Sequence, residues 1–139
     1  MQYFEHEKLD VYQVAIQLII LIEDMVKQFP KGRAYLVDQL QRVSSSVSLN
    51  IGEGAGEFSV NEKIRFYRIA RRSATECASI IDICMRLKLT EEITGMKLRC
   101  LLLRIVSMLT KMTRHSSGTE TQTVTWRSAQ ARRQLILRG

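Results

Sequence analysis

Apolar side chains recur along this chain at steps of three and four residues, which is the period of an α-helix. Four stretches carry the pattern: residues 8–28, 33–52, 59–87 and the segment from just after Thr90 to Met112. The connections between them are short, and short connections imply antiparallel neighbours. The pattern therefore predicts an all-α fold, an antiparallel up-down four-helix bundle over residues 1–113, followed by a basic C-terminal tail over residues 114–139.

Local signals indicate where these helices begin and end. Pro30 stops helix 1, because proline disfavours helical geometry at the residue before it. Ser59, with Glu62 three residues later, forms a capping box for helix 3, and Thr90 is a plausible N-cap for helix 4. Alternating glycines are poor helix formers, so we expect a structural turn between helices 2 and 3, with Gly54 or Gly56 at positive φ. The turn residues are Asn50, Gly52, Gly54 and Gly56.

Helix 1 is apolar around more than half of its circumference, whereas a helix in a monomer needs an apolar stripe of only about 100°. Its polar strip, which includes Asp10 and Gln13, has no basic cluster to meet lipid head groups. A subunit interface is the better interpretation, and coverage by a loop or by the tail is the alternative. The interface residues predicted on this basis are Leu18, Ile19, Ile22 and Met25.

Composition is typical of one small cytoplasmic domain. The chain has 139 residues, of which 45% are hydrophobic, and no apolar run reaches the roughly 18 residues of a membrane span. The N-terminus has no signal-peptide pattern. The three cysteines form no CxxC pair, which indicates reduced thiols.

Positive charge is concentrated at the C-terminus. The net charge is +7, and residues 114–139 contribute +4 of it, since five arginines there face Glu120 alone. A basic tail is typical of proteins that bind polyanions, although it can also serve only solubility. The tail residues predicted to contact nucleic acid are Arg127, Arg132 and Arg133.

Four arginines of helix 3, namely Arg65, Arg68, Arg71 and Arg72, fall within one arc of about 120°. No acid is expected within this arc over its first three turns, so the like charges repel one another. Phosphate is a natural partner, because the guanidinium fork matches its oxygens. The alternative is pairing with acids of another helix or subunit, such as Asp38, Glu53 or Glu57.

Signals for catalysis are weak. The chain has no P-loop, no HExxH motif, no EF-hand loop and no zinc spacing. The two histidines, His6 and His115, lie in regions expected to be flexible, and a serine nucleophile needs a positioned base. The serines of helix 2 (Ser44, Ser45, Ser46 and Ser48) therefore indicate close helix packing. Glu53 and Glu57 could bind a metal as a pair, but the sequence predicts no catalytic residue, metal or cofactor.

The run Asn50 to Gly56 is preceded by Gln39, Arg42 and Ser46 and followed by Arg65-Phe66 and Ile69-Ala70-Arg71. With these residues in this order, the chain resembles a known family over residues 4–113. This is the four-helix-bundle family of large-subunit rRNA intervening-sequence proteins, which includes the accessory variability proteins of diversity-generating retroelements. The resemblance implies a four-helix protomer, a ring-like homopentamer and no established enzymatic activity. Accessory members of the family bind nucleic acid and their reverse transcriptase.

Together, these features predict a homo-oligomeric nucleic-acid-binding accessory protein that assists a reverse transcriptase by holding template RNA or cDNA, without a membrane partner. Two alternatives remain open. The first is a structural oligomer without a nucleic-acid role, its arginines paired between subunits. The second is a metal-dependent nuclease that uses Glu53 and Glu57.

Overall fold

The computed structural model describes residues 1–114, which form a short 3-10 helix followed by four α-helices. The 3-10 helix spans Glu5–Lys8, α1 Asp10–Val26, α2 Ala34–Gly56, α3 Val60–Arg86 and α4 Glu92–Thr113. Each α-helix packs on its two neighbours, and within the described range no Cα atoms of the diagonal pairs α1/α3 and α2/α4 come within 8 Å of each other. The predicted all-α four-helix bundle is confirmed. Of the helices in this range, none is long and apolar enough to cross a membrane.

All four helices contribute to one core, because each turns its apolar stripe inward. Fully burying a leucine or isoleucine side chain stabilises the fold by about 1.5–3 kcal/mol, and the centre of the bundle consists mostly of such residues. Among the largest fully buried side chains are Leu18, Ile22, Leu40, Ile51, Ile81, Leu98, Leu102, Ile105 and Leu109.

Most of the subunit interface predicted on helix 1 is wrong. Leu18 and Ile22 are completely buried and Met25 is 6% exposed, all within the single chain. Ile19 is half-buried. The helical wheel overestimated the excess apolar surface because α1 contacts α2, α4 and the 3-10 helix at once. The apolar side chain that α1 exposes most is Ile20, at 62%.

The predicted structural turn at Asn50, Gly52, Gly54 and Gly56 is also wrong. All four residues belong to α2, which ends at Gly56, and none of these glycines has positive φ. Close packing accounts for the buried Gly54, because a Cβ atom there would lie 2.6 Å from Cε1 of Tyr67 on α3. The glycine therefore permits a close approach between α2 and α3.

The connections on either side of α3 satisfy the backbone groups at the helix ends. Ser59 Oγ accepts a hydrogen bond from the Glu62 amide at 3.5 Å, as the sequence predicts. Lys63 Nζ donates to the carbonyl oxygens of Gly54 and Ala55 at 3.2 and 2.9 Å, which closes the C-terminus of α2. At the other end of α3, Lys88 takes a left-handed conformation with φ 57°.

We expect Gly54→Ala to destabilise the bundle by about 1–3 kcal/mol, the usual cost of an overpacked core. Gly56→Ala is a matched control from the same run, because no atom lies within 4 Å of a Cβ added there. Urea denaturation of both variants checks the prediction. Equal midpoints for the two variants would show that α2 and α3 do not approach as closely as described.

Burial controls the chemistry of two of the three thiols. Burial, followed by neighbouring Cys84 and Glu76, raises the pKa of Cys77 to about 12, and burial also raises the pKa of Cys84. Cys100 is exposed.

A thiol reagent at mildly alkaline pH should therefore modify Cys100 rapidly in the folded protein and reach the other two cysteines only after denaturation, since the thiolate is the nucleophile. Folding raises the pKa values of Cys77 and Cys84, so their burial as neutral thiols stabilises the folded state fully only below the ordinary thiol pKa. This contribution to the free energy of unfolding is lost as the pH rises toward 12. Colorimetric titration with and without denaturant measures both states. Rapid reaction of folded Cys100→Ser would contradict the burial.

Candidate nucleic-acid interface

The arginine stripe, defined as Arg65, Arg68, Arg71 and Arg72, lies on the outer face of α3. Arg65, Arg68 and Arg72 are exposed, and Arg71 is half-buried. The opposite face of α3 enters the core through residues that include Tyr67, Ala70, Ala74, Cys77 and Ile81. The structure thus brings the four predicted side chains together on one surface that the core does not use.

Arg65 differs from the sequence expectation. Its Nη2 atom lies 3.0 Å from Glu62 Oε2 and its Nε donates to the same oxygen at 3.1 Å. The guanidinium also stands 4.7 Å from the ring centroid of Phe66. An acid therefore accompanies the first turn of the stripe, contrary to the prediction. The pair is exposed and contributes little to stability, so Arg65 can exchange this partner at small cost.

Arg71 connects the stripe to the end of the bundle. Its Nη1 atom donates to Thr113 Oγ1 at 3.4 Å, and Thr113 is the last residue of α4. The chain therefore leaves the bundle beside the stripe. Sequence reasoning did not identify Thr113, because only the antiparallel packing of α3 and α4 brings residues so far apart in the chain together.

Arg68 and Arg72 are the two members of the stripe without an intramolecular partner. Neither side chain forms a hydrogen bond or an ion pair with any residue between 1 and 114. Their guanidinium groups keep all their donors available, and the planar fork suits bidentate contact with phosphate or carboxylate oxygens.

Small polar residues fix the orientation of α3 against α2. The hydroxyl groups of Ser46 and Ser73 are 2.9 Å apart across the two helices, and Asn50 Nδ2 donates to Ser46 Oγ at 3.1 Å and to the Ser46 carbonyl at 2.8 Å. Ser44, Ser45 and Ser48 bond to carbonyls of their own helix. This arrangement agrees with the interpretation of the serines as packing residues.

The acid pair Glu53 and Glu57 lies on the other side of α2, beside the N-terminal segment. A groove of about 500 Å³ runs there between Phe4, His6, Tyr12 and Leu49. His6 packs edge-on against Tyr12 with ring centroids 4.6 Å apart. Within residues 1–114, no group of three or more potential ligands is positioned to hold a metal ion.

Three of the predicted nucleic-acid contacts, Arg127, Arg132 and Arg133, lie outside the described residues, as does His115. Their assignment to nucleic acid remains a prediction from composition. The described part of the proposed interface is therefore the α3 stripe together with the point at which the chain leaves α4.

Comparison with known proteins identifies the family. The sequence model of the 23S rRNA-intervening sequence protein family matches residues 7–111. Because this match covers most of the chain, the protein belongs to that family. A search of the curated proteins found no match.

Proposed function

We propose that this member of the 23S rRNA-intervening sequence protein family is a homo-oligomeric nucleic-acid-binding accessory protein of the cytoplasm. The observation that carries the proposal is the pair Arg68 and Arg72, exposed on a face opposite the core and without partners in the described chain. Like charges on adjacent turns repel, and a polyphosphate chain relieves that repulsion.

Charge elsewhere in the chain supports the same proposal. The Arg71–Thr113 contact places the start of the C-terminal segment beside the stripe, and residues 114–139 carry five arginines against one acid. Repetition of the stripe in every subunit of an oligomer, a homopentamer in the leading version, multiplies the positive potential. Binding of this kind depends on phosphates, so it has broad sequence preference and steep salt dependence.

The leading version of the role is assistance to a reverse transcriptase of a diversity-generating retroelement, by holding template RNA or cDNA. It rests on the resemblance to the accessory variability proteins. The presence of a reverse-transcriptase gene and a repeat template beside this gene would support it. If both are absent, the proposed role in reverse transcription is wrong, and the proposal of nucleic-acid binding is unaffected.

A second candidate is a structural oligomer in which the stripe pairs with acids of a neighbouring subunit. Asp38 and Glu53 favour it, because both are exposed and neither forms a side-chain ion pair within the described part of the chain. In that case, reversing the stripe charges would weaken assembly rather than RNA binding.

The deciding experiment reverses Arg68 and Arg72 to glutamate together. We expect the double variant to lose binding to a labelled structured RNA, at least about 100-fold at low salt, because two phosphate contacts become repulsive. The wild-type log affinity should fall linearly with log salt, at a slope of roughly 0.7–0.9 per phosphate contact. Fluorescence anisotropy measures both quantities.

The control is Arg86→Glu with Lys88→Glu, which changes the net charge equally near the C-terminal end of α3, where both residues are exposed. It also removes the ion pair between Arg86 and Asp82, which is exposed and contributes little to stability. It should retain most of the affinity. Equal losses of RNA affinity in the two double variants would show that the stripe contributes only through the overall net charge of the protein. Unchanged RNA affinity in the Arg68/Arg72 variant, combined with loss of assembly, would favour the structural oligomer.

Removing residues 114–139 should weaken RNA binding without abolishing it, because the stripe remains. The salt slope should fall in proportion to the phosphate contacts removed. Anisotropy titrations of the truncated and full-length proteins at matched salt give this difference. An unchanged affinity and slope would limit the tail to a role in solubility.

A further inference from the structure

The N-terminal groove, a cavity of about 500 Å³, lies between the segment that contains the 3-10 helix and the last turns of α2. Phe4 and Tyr12 line it from the N-terminal part of the chain, and Leu49 and Gly52 line it from α2. No residue of the arginine stripe contributes to its lining. The groove is therefore separate from the surface assigned to nucleic acid.

Three aromatic rings form a continuous stack along this groove. The ring of His6 stacks on that of Phe4 with centroids 5.6 Å apart and packs edge-on against Tyr12. A Cβ atom at position 52 would lie 3.9 Å from His6 Cγ, so the backbone of α2 closes on the stack. Phe4 nevertheless remains 73% exposed, and Leu49 is 67% exposed. The groove thus offers an aromatic and aliphatic surface that the described part of the chain leaves uncovered.

Two carboxylates without partners also line the groove. Glu53 is exposed and Glu57 is half-buried, and neither side chain forms a hydrogen bond or an ion pair with described residues. A third acid of the groove, Glu5, is already paired with Lys8 at 3.1 Å. Neighbouring carboxylates repel each other, and a guanidinium group relieves that repulsion through charge-assisted hydrogen bonds. The groove therefore suits a ligand that carries an aromatic group and a cation side by side.

The C-terminal segment of the same chain contains this combination. Trp126, the only tryptophan, is followed directly by Arg127, and residues 115–139 carry four arginines against Glu120 alone. An indole stacks on aromatic rings, and a guanidinium pairs with carboxylates. The segment lies outside residues 7–111, the part that matches the family, as do Phe4 and His6.

The chain leaves the bundle within reach of the groove. α2 and α4 both run antiparallel to α3, so their C-termini point toward the same end of the bundle, where the groove lies. Twelve residues lead from Arg114 to Trp126, and a stretch of this length spans up to about 40 Å when extended. Two adjacent helices are only about 20 Å wide. Trp126 can therefore reach the groove without displacement of any helix.

We propose that the N-terminal groove is the docking site for the C-terminal segment of the same chain, with Trp126 against the aromatic stack and Arg127 at the carboxylates of Glu53 and Glu57. Covalent attachment favours this occupant over a free basic peptide, because a tethered segment meets the groove at a local concentration in the millimolar range. A contact of modest strength is then formed in most molecules.

Docking makes the groove a competitor of nucleic acid for the same arginine. Arg127 is among the residues predicted to contact phosphate, and a guanidinium paired with Glu53 or Glu57 is not free to do so. Bound RNA should therefore release the C-terminal segment from the groove. This consequence rests on the proposed function, whereas docking itself does not.

The first test uses the fluorescence of Trp126 in the full-length protein without RNA. As the only tryptophan, it reports on the C-terminal segment without a label. A docked indole should emit at shorter wavelength than in the urea-unfolded chain, and acrylamide should quench it at least about twofold less efficiently, because an aromatic surface covers one face of the ring. Equal quenching in the folded and unfolded chains overturns the proposal.

Two sets of variants locate the contact. Leu49→Ala and the double variant Glu53→Gln with Glu57→Gln should each raise the quenching of Trp126 toward the unfolded value. The controls are Leu103→Ala, a leucine on α4 that is 58% exposed, and Glu91→Gln with Glu92→Gln, which removes the same charge at the start of α4. Both controls should leave the quenching unchanged.

Circular dichroism checks that each variant folds. Quenching that rises equally in the test and control variants shows a general effect of charge or of apolar surface and overturns the groove as the site. A protected Trp126 that responds to neither test variant overturns it as well, because the indole then lies elsewhere.

A cross-link identifies the chain that supplies the segment. In a Cys100→Ser background, a short bismaleimide should join Leu49→Cys to Thr125→Cys within one chain, so the product keeps the single-chain mass of 16.0 kDa in denaturing electrophoresis. Thr125→Cys with the native, exposed Cys100 is the control and should react several-fold more slowly. A product of twice the chain mass assigns the segment to another copy and overturns docking within the chain.

RNA affinity tests the competition separately. The Glu53→Gln and Glu57→Gln double variant should bind structured RNA more tightly than the Glu91→Gln and Glu92→Gln control by a factor of about two to five, the scale of an exposed ion pair. RNA added to the wild type should raise the quenching of Trp126. A wild type that binds no RNA but protects Trp126 contradicts the proposed function and leaves docking intact. RNA binding with an unprotected Trp126 gives the opposite result.

Discussion

The close approach of α2 and α3 is the constraint on which the rest of the structure depends. The ring of Tyr67 occupies the space that a side chain at position 54 would fill, and the Ser46–Ser73 hydrogen bond joins the same two helices further along. Ala70 and Ala74, both fully buried, keep the interior side of α3 thin. Small residues allow backbones to come close, and the resulting contact fixes the rotation of each helix about its own axis. Because the buried side of α3 is fixed in this way, its arginines have to face outward.

The sequence predicts the number of helices and most of their limits, because apolar periodicity and capping residues are local properties. It fails where tertiary packing outweighs local preference. The glycines at 52, 54 and 56 led to the prediction of a turn, because glycine is a poor helix former. In the structure, α2 continues through all three. Gly54 leaves room for the ring of Tyr67, and the propensity cost of a glycine within a helix is only about 0.5–1 kcal/mol relative to alanine. Nothing local in the sequence reveals that contact.

The same distinction explains the candidate sites. The arginine stripe was predictable, because four residues of one helix share a face whatever the rest of the chain does. The contact between Arg71 and Thr113 was not, because it depends on how α3 and α4 pair. Helix 1 shows the converse error. Its many apolar residues suggested an exposed surface, but contacts on several sides bury Leu18, Ile22 and Met25. Of the apolar side chains of α1, Ile20 is the most exposed, and it was not among the interface residues that the sequence predicted.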